Sequence, residues 1–426
     1  MAESEISSIR RFREYLSDFT FIEESQTPSL FPERETKTIK SELAFNGISV
    51  PVFENEFWTS KQRQASSIHE ISYRACFKPQ LPRFFISRLT SVGDYIYDPF
   101  GGRGTTAIES ALLDRIAINN DINPLSRILT EPRISNIPSL EAIQDRLNQI
   151  PNDSPAILDL DLSMFYHADT LRRLVSIRKY LSEKKENRDE DTVDKWIRMV
   201  ATNRLTGHSA GFFSVYTLPP NQATSPESQK KINEKRNQKP EFRNVDEIIL
   251  RKTKSLLRNV TANDLKMLEN ARKKVKYLNE DARKTQIIPS ESVKLTVTSP
   301  PFLDIVQYSQ DNWLRCWFSG IDVDDVSGKI TVLRKLHDWV RFIQEVFHEL
   351  FRITKLSGLV AFEVGEIRKK MIKLEEYVIP VGIKTGFDPI AIIINTQEFT
   401  KTSNIWGVDN NEKGTNSNRI AIFAKK

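Results

Sequence analysis

Two short stretches of the chain carry residue types that chemistry needs. DPFGGRGTT, from Asp98 to Thr106, sets a carboxylate before three glycines, Gly101, Gly102 and Gly104. VKLTVTSPPFLD, from Val293 to Asp304, ends an alternating run on a serine, two prolines and a phenylalanine. Glycines in a strand-to-helix turn let the backbone approach a ligand closely, and the helix start offers unpaired N–H groups. The turn has no Walker lysine, so it is not expected to cradle phosphates in the P-loop manner. Ala107 stands where a dinucleotide turn has its third glycine, which weakens nicotinamide binding without excluding it, since some such turns accept Ala. Asp98, at a strand tip, suits an amine or hydroxyl better than a phosphate. A tight turn with a purely structural purpose is the alternative. In the second stretch, Val293, Leu295 and Val297 alternate with Lys294, Thr296 and Thr298, the pattern of a strand. Neither proline can donate to a ladder, so the strand stops there. A stop alone needs only one Pro, Gly or Asn, so this one asks for a chemical reason.

The elements that must hold these stretches follow from periodicity. YIYDPFGGRGTTAIESALLDRIAINNDINP predicts strand, turn, helix and second strand, with Asp121 after the second strand. Asp281 lies before the TVTSPPF strand, at the end of another short strand. Three carboxylates at successive strand tips can line one crevice at the carboxyl edge of a parallel sheet. Further strands are expected at LSGLVAFEVG, DPIAIIINT and NRIAIFAK, with the helical LHDWVRFIQEVFHELFRIT between them. Residues 1–50 show one amphipathic helical stretch, with Ile6, Ile9, Phe12, Leu16 and Phe19, and then loop-like sequence. From 125 to 275 the pattern is helical, broken at YTLPPNQATSPES. The expected fold class is α/β, a Rossmann-like sheet with a large, mainly helical insertion. The expected organisation is an N-terminal extension at 1–57, a sheet domain from 58–125 and 275–426, and an insertion at 126–274.

Composition bounds the remaining choices. The chain has 426 residues, 39% hydrophobic and 28% charged, an ordinary globular balance. No apolar run reaches the roughly 18 residues of a membrane span, and MAESEISSIRRF lacks a signal-peptide core, so a cytoplasmic location is expected. Cys76 and Cys316 are far apart and the five histidines are scattered, so reduced thiols and no metal site are expected. The net charge is +6, and Gln229–Arg258 alone, with ten Lys/Arg against four Asp/Glu, carries the same +6. Such concentration is the footprint of a surface facing a polyanion, or else a solvated helical face.

Together, DPFGGRGTT and TSPPF resemble the DNA amino-methyltransferases, S-adenosylmethionine-dependent enzymes that methylate an exocyclic base nitrogen. That family pairs a DPFxGxGTT cofactor turn with an (S/D/N)PP(Y/F) catalytic turn. The resemblance covers roughly 58–125 and 275–426 and includes KPQLP upstream of the glycines. It implies a methyltransferase sheet that holds S-adenosyl-L-methionine with Lys78, Pro79, Asp98, Pro99, Phe100, Gly102, Gly104, Thr105, Thr106, Asp121, Asp281 and Thr298. Within that set, Asp98 resembles the residue near the methionyl amine, Asp121 the ribose acid and Asp281 the acid facing the adenine amine. Ser299, Pro300, Pro301 and Phe302 resemble the catalytic turn. The insertion precedes Asp281 rather than following it, which departs from the common arrangements and leaves the target-recognition region unplaced.

The chemistry explains the abrupt stop. An exocyclic amine is a poor nucleophile because its lone pair is delocalised into the ring. Acceptors on both N–H groups aim that lone pair at the methyl group. Ser299 offers its hydroxyl, the Ser299 or Pro300 carbonyl offers a second acceptor, and Phe302 offers a face to a flipped base. Serine in first place goes mostly with cytosine N4 in the resembling family, Asp or Asn with adenine N6. The expected function is therefore N4-cytosine methylation of double-stranded DNA, with a cognate restriction endonuclease as partner. N6-adenine methylation, RNA modification and a catalytically silent DNA-binding subunit stand as alternatives. Lys230, Lys231, Lys235 and Arg236 are the expected DNA contacts. Gln307, Tyr308 and Asp311 are candidates for the base pocket, Trp313, Trp317 and Phe318 for the core, and His208 and Ser209 for an ordinary loop. NIWGVDNNEKGTNSNR reads as turns, beside DNA or as a plain loop.

Overall fold

Nine strands form one sheet in the computed structural model, which describes residues 3–22, 35–59, 65–73, 76–152, 160–217, 223–301, 308–329, 335–367, 372–396 and 417–426. In chain order they are β1 (Ile39–Phe45), β2 (Ile48–Asn55), β3 (Tyr95–Asp98), β4 (Ile116–Asn120), β5 (Lys276–Leu278), β6 (Val293–Thr298), β7 (Thr354–Val364), β8 (Phe387–Thr396) and β9 (Ser417–Lys425). Across the sheet the order is β1-β2-β8-β9-β7-β6-β3-β4-β5. Strands β3 to β7 run parallel, and β9 slots between β7 and β8 antiparallel to both. Chain order reverses between β3 and β6, so their carboxyl ends flank the switch point where open α/β sheets bind ligands. This is the Rossmann-like methyltransferase arrangement that the motifs imply.

Alternation explains why both faces are covered. In β3, Ile96 and Tyr97 point to opposite faces, as do Phe362 and Ala361 in β7, and all four are buried. One face takes α13 (Leu336–Ile353) and α14 (Glu375–Lys384), whose Phe347, Leu350, Val378 and Ile379 pack on Tyr97, Phe362 and Phe423. The other takes α1 (Glu3–Asp18) and α2 (Gln80–Leu89), through Phe12, Leu16, Phe84 and Phe85. Beside them, α3 (Thr105–Leu112) packs into a core shared with the insertion. The insertion comprises α4 (Leu125–Thr130), α5 (Leu140–Gln149), α6 (Ala168–Glu186), α7 (Thr192–Arg204), α8 (Pro226–Arg236), α9 (Val245–Leu257) and α10 (Ala262–Ala271). After β6 come α11 (Tyr308–Ser319) and α12 (Val323–Lys329). Among the described residues, no helix is long and apolar enough to cross a membrane.

The sheet also reaches into the expected N-terminal extension. β1 and β2 form a hairpin whose turn, Asn46 and Gly47, has φ of 49° and 83°, and β2 pairs parallel with β8. Two central residues at positive φ make the turn type that matches strand twist, and Asn-Gly is its strongest signal. The hairpin escapes the periodicity reading because β1 is an edge strand whose outer side chains, Ile39 included, face solvent. The sheet domain therefore begins well before residue 58.

Candidate active site

The glycine turn is built as tightly as its composition suggests. Gly104 N–H donates to the Gly101 carbonyl at 2.7 Å, and Gly101 N–H to the Asn120 carbonyl at 2.8 Å. Gly102 and Gly104 have φ of 52° and 75°, a region that suits glycine. A Cβ on Gly104 would overlap the buried Thr130 side chain, and one on Gly102 would come within 3.3 Å of Cys76 Sγ. Arg103 reaches back to the Ile71 and Phe77 carbonyls at 2.9 and 3.2 Å, which sets Lys78 and Pro79, at the start of α2, beside the turn. It also donates to Thr105 Oγ1 at 3.3 Å. Burial, and then Arg103, push the Lys78 ammonium below the usual lysine range.

Asp98, 2% exposed, closes the floor. Its Oδ1 accepts from Phe100 N at 3.1 Å and from Thr298 Oγ1 at 2.7 Å. Thr106 Oγ1 donates to the Val297 carbonyl at 3.2 Å. These bonds hold the tips of β3 and β6 together, so the serine turn starts directly beside the glycine turn. Asp121 follows β4 and accepts from Gly102 N at 2.8 Å and Asn123 N at 2.9 Å. Burial pushes both carboxyls up to about 6, and each is held back by the N–H or hydroxyl groups that donate to it.

Asn120 stitches the neighbouring loops. Its amide donates to the Pro99 carbonyl at 3.2 Å and the Glu280 carbonyl at 2.9 Å, and accepts from Glu280 N at 2.9 Å. Asn279 donates to the Asp121 carbonyl at 2.6 Å. Asp281 is thereby carried to the same edge. Its carboxylate, however, is closed onto Arg283, with Nη2 to Oδ2 at 2.6 Å, and Arg283 also reaches Glu345 at 3.1 Å. Arg283 holds Asp281 below the usual carboxylate range. An acid open to a ligand was the expectation, and the arginine two residues on is the reason it is engaged. Phe100 lies 6.1 Å from Phe342, over which Arg283 also sits.

In the serine turn, Ser299 Oγ is buried and finds no hydrogen-bond partner in good geometry among the described residues. Pro300 is buried, and the Pro301 carbonyl accepts from the indole of Trp339 at 3.0 Å. Phe302 and Gln307 lie outside the described residues, as does most of NIWGVDNNEKGTNSNR. Tyr308 opens α11, and the Asp311 carbonyl accepts from Ala223 N at 3.1 Å. Trp313 donates to the Thr224 carbonyl at 3.2 Å and packs with Trp317 against the core that holds Phe318.

A residue absent from the sequence reading stands beside the serine. Glu363 of β7 is next to Ser299, since Thr298 pairs with Phe362, and it is 7% exposed. It accepts from Asn418 Nδ2 at 2.5 Å. Burial pushes its carboxyl up to about 7, against the opposing pull of Asn418 and the Ser299 hydroxyl. The available signal was a lone acid inside the apolar run LVAFEV, where an ionised side chain is costly. Lys230, Lys231, Lys235 and Arg236 are exposed on α8, with Lys230 3.8 Å from Asp161 and Arg236 3.8 Å over the Tyr216 ring. Among the described residues, no three His, Cys, Asp or Glu gather in a way that could hold a metal.

Residues 33–127 match the DNA methylase family model for N6 and N4 enzymes. That match contains the β1–β2 hairpin, the glycine turn and Asp121, and it supports a DNA methyltransferase of the N4/N6 kind. The type II methyltransferase M.MjaII of Methanocaldococcus jannaschii is 34% identical over 76 residues, 18% of this chain. The matched stretch spans only 14% of the length of that relative. Among solved structures, the chain is similar to a TehB-like S-adenosylmethionine-dependent methyltransferase of Corynebacterium glutamicum, with 7% identity, 81% and 87% of the two chains covered and a TM-score of 0.29. It is also similar to an rRNA methyltransferase of Streptomyces viridochromogenes, with 9% identity, 86% and 94% covered and a TM-score of 0.33. Scores this low carry no argument about function.

Proposed function

We propose that the chain binds S-adenosylmethionine at the β3–β4 edge and methylates the N4 of cytosine in double-stranded DNA. The observation that carries this reading is the 2.7 Å bond from Thr298 to Asp98, which brings the serine turn against the glycine turn. The residues fit the group. Gly102 and Gly104, at positive φ, keep the backbone of the turn bare of side chains of its own, and the buried Asp98 and half-buried Asp121 would offer carboxyls to an amine and to ribose hydroxyls. Asp281 would reach the adenine amine by sharing its carboxylate with Arg283. When bound, the cofactor supplies an electrophilic methyl group.

The chain's own residues do the rest. Ser299 Oγ, unfilled among the described residues, accepts one N–H of the target amine, and the Ser299 or Pro300 carbonyl accepts the other. Trp339 holds the Pro301 carbonyl and so fixes the turn that aims them. As the new N–C bond forms, the amine nitrogen becomes acidic and sheds one proton. Glu363, poised at about 7 beside Ser299, is placed to take it. Phe302 stacks on the base once it leaves the helix.

A modification enzyme acting in the cytoplasm with a cognate endonuclease is part of the same proposal, and the partial likeness to a type II methyltransferase is consistent with it. The deciding experiment digests DNA from cells expressing the chain to nucleosides and identifies the modified base by mass spectrometry. N4-methylcytosine is expected. N6-methyladenine would overturn the cytosine assignment and keep the methyltransferase reading. Unmodified DNA of every sequence, with cofactor bound, would point to a silent subunit.

A further inference from the structure

The segment Leu205–Thr217, inside the insertion, is a built loop. Phe213 N–H donates to the Arg204 carbonyl at 2.9 Å, Thr217 N–H to the Gly207 carbonyl at 3.0 Å, and Val215 N–H to the Phe165 carbonyl at 2.9 Å. A Cβ on Gly207 would overlap the Phe212 ring, so the fold of the loop depends on that glycine. Apart from its tip the loop is largely buried. His208, Ser209 and Ala210 alone are exposed. None of them is a Lys, Arg, Asp or Glu, and they stand out from a hydrogen-bonded frame.

Cations flank this tip on both sides. Arg204 lies 4.0 Å over Phe212 at one end, and Arg236 of α8 lies 3.8 Å over Tyr216 at the other. Arg251 of α9 donates to the carbonyl of Ala210 itself at 3.1 Å. Lys252 is half-buried next to it, and burial, with Arg204 adding, lowers its ammonium to about 8. Arg204, Arg236, Arg251 and Lys252 gather here against Glu70, which acts on Lys252 and is itself paired with Arg258, an excess of positive charge that is favourable beside a polyanion.

The base of the loop is tied to the site. Asn203 donates to the Ser72 carbonyl at 3.0 Å, and the adjacent Tyr73 ring lies against Gly102 of the cofactor turn. Beyond its other end, Ala223 bonds the Asp311 carbonyl on α11, the helix that follows the serine turn. The tip therefore projects from the elements that frame the place where a flipped base would enter.

We infer that the Leu205–Thr217 loop enters a groove of duplex DNA and reads base edges through His208 and Ser209, while the flanking cations of α8 and α9 grip the phosphates. The inference rests on the methyltransferase reading and gives that activity its sequence reader. Phosphate contacts position a protein and base contacts specify, so a tip of His208 and Ser209 between arms of Arg and Lys divides those two tasks. An imidazole and a hydroxyl can each donate and accept at base edges. A rigid frame fixes where they do so.

The test uses the full chain with S-adenosylmethionine and compares it with His208→Ala/Ser209→Ala and with Arg251→Gln. DNA of mixed sequence is methylated and the modified sites are read by sequencing, and duplex affinity is measured against salt. The double variant should keep cofactor binding and melting temperature, since both residues are exposed. Its kcat/KM on the parent's preferred site should fall about tenfold or more relative to other sites. Arg251→Gln should weaken binding to all duplexes alike and flatten the salt slope. If the parent methylates DNA and both variants match it in site profile and affinity, the loop assignment fails while the methyltransferase reading stands. If the parent binds cofactor yet neither binds nor methylates duplex DNA, the reading fails and the loop assignment with it. Binding confined to single strands or RNA also overturns the loop assignment.

Discussion

Three desolvated carboxyls, two of them buried and that of Asp121 half-buried, set the pH behaviour of the site. Asp98 and Asp121 are pushed up to about 6 and Glu363 to about 7, in each case mainly by burial. A carboxyl whose folded pKa is raised binds its proton more tightly folded than unfolded. Its contribution to stability is full below the ordinary carboxylate range and is lost as pH rises through the raised value. The ligand-free protein should therefore melt at lower temperature as pH rises from about 5 to about 8, with the last part of the fall due to Glu363. Glu363→Gln should flatten that upper part in a calorimetric series, and an unchanged slope would show that Glu363 ionises as it does in water. Ser299→Ala tests the neighbouring atom. Its hydroxyl adds only to the pull on the neighbouring Glu363 carboxyl, so cofactor binding and melting should hold. Turnover should fall roughly 10²–10³-fold, the cost of one lost donor or acceptor at comparable sites. A loss of cofactor affinity instead would place Ser299 in the cofactor pocket.

At the level of elements, the two arms of the helical insertion are separable. α8 is exposed along Lys230, Lys231 and Lys235, and Gln229 anchors it by donating to the Tyr216 carbonyl at 3.0 Å. Neutralising those three lysines should leave the anchor intact, weaken duplex binding without changing the methylated sequence, and lower the slope of log affinity against log salt by up to about three. An unchanged slope would make α8 a solvated face. The sequence made β3, β4, β6, β7, β8 and β9 legible because alternation and strand-end turns are local signals. It hid what depends on partners distant in the chain. Asn120 looks like any polar residue at a strand end until Pro99 and Glu280 are found on either side of it. Glu363 gains meaning only next to Ser299, 64 positions earlier. Asp281 was legible as a strand-tip acid, but its closure onto Arg283 was not, because a pair two residues apart depends on loop shape rather than on periodicity. The β1–β2 hairpin was signalled by Asn46-Gly47 and obscured by the exposed edge of β1.

At the scale of the whole molecule, the insertion is not an appendage. One core joins Ala107, Ile108 and Ala111 of α3 and Ala117 of β4 to Trp196, Ile197 and Val200 of α7 and to Ile249 of α9. The helix that carries the glycine turn therefore leans on the insertion, and the insertion on it. Arg133 of the insertion, fully buried, adds to this by donating to the Ile68 carbonyl at 3.1 Å and to the carbonyl of Arg103 in the glycine turn. Recognition and catalysis should in consequence melt together. Trp196 is the place to test this. It is fully buried in α7, and its indole N–H donates to Thr253 Oγ1 of α9 at 2.9 Å. Trp196→Ala removes a large buried side chain and leaves Thr253 without its donor, a change that costs about 3–5 kcal/mol in comparable cores. If the two parts share one core, calorimetry should show a single transition in the parent and a single, lower transition in the variant. Cofactor binding at the glycine turn should be lost over the same temperature range as the helices of the insertion. Two resolved transitions, with only the insertion's shifted and cofactor binding intact above it, would show instead a catalytic sheet that stands alone and a reader merely attached to it.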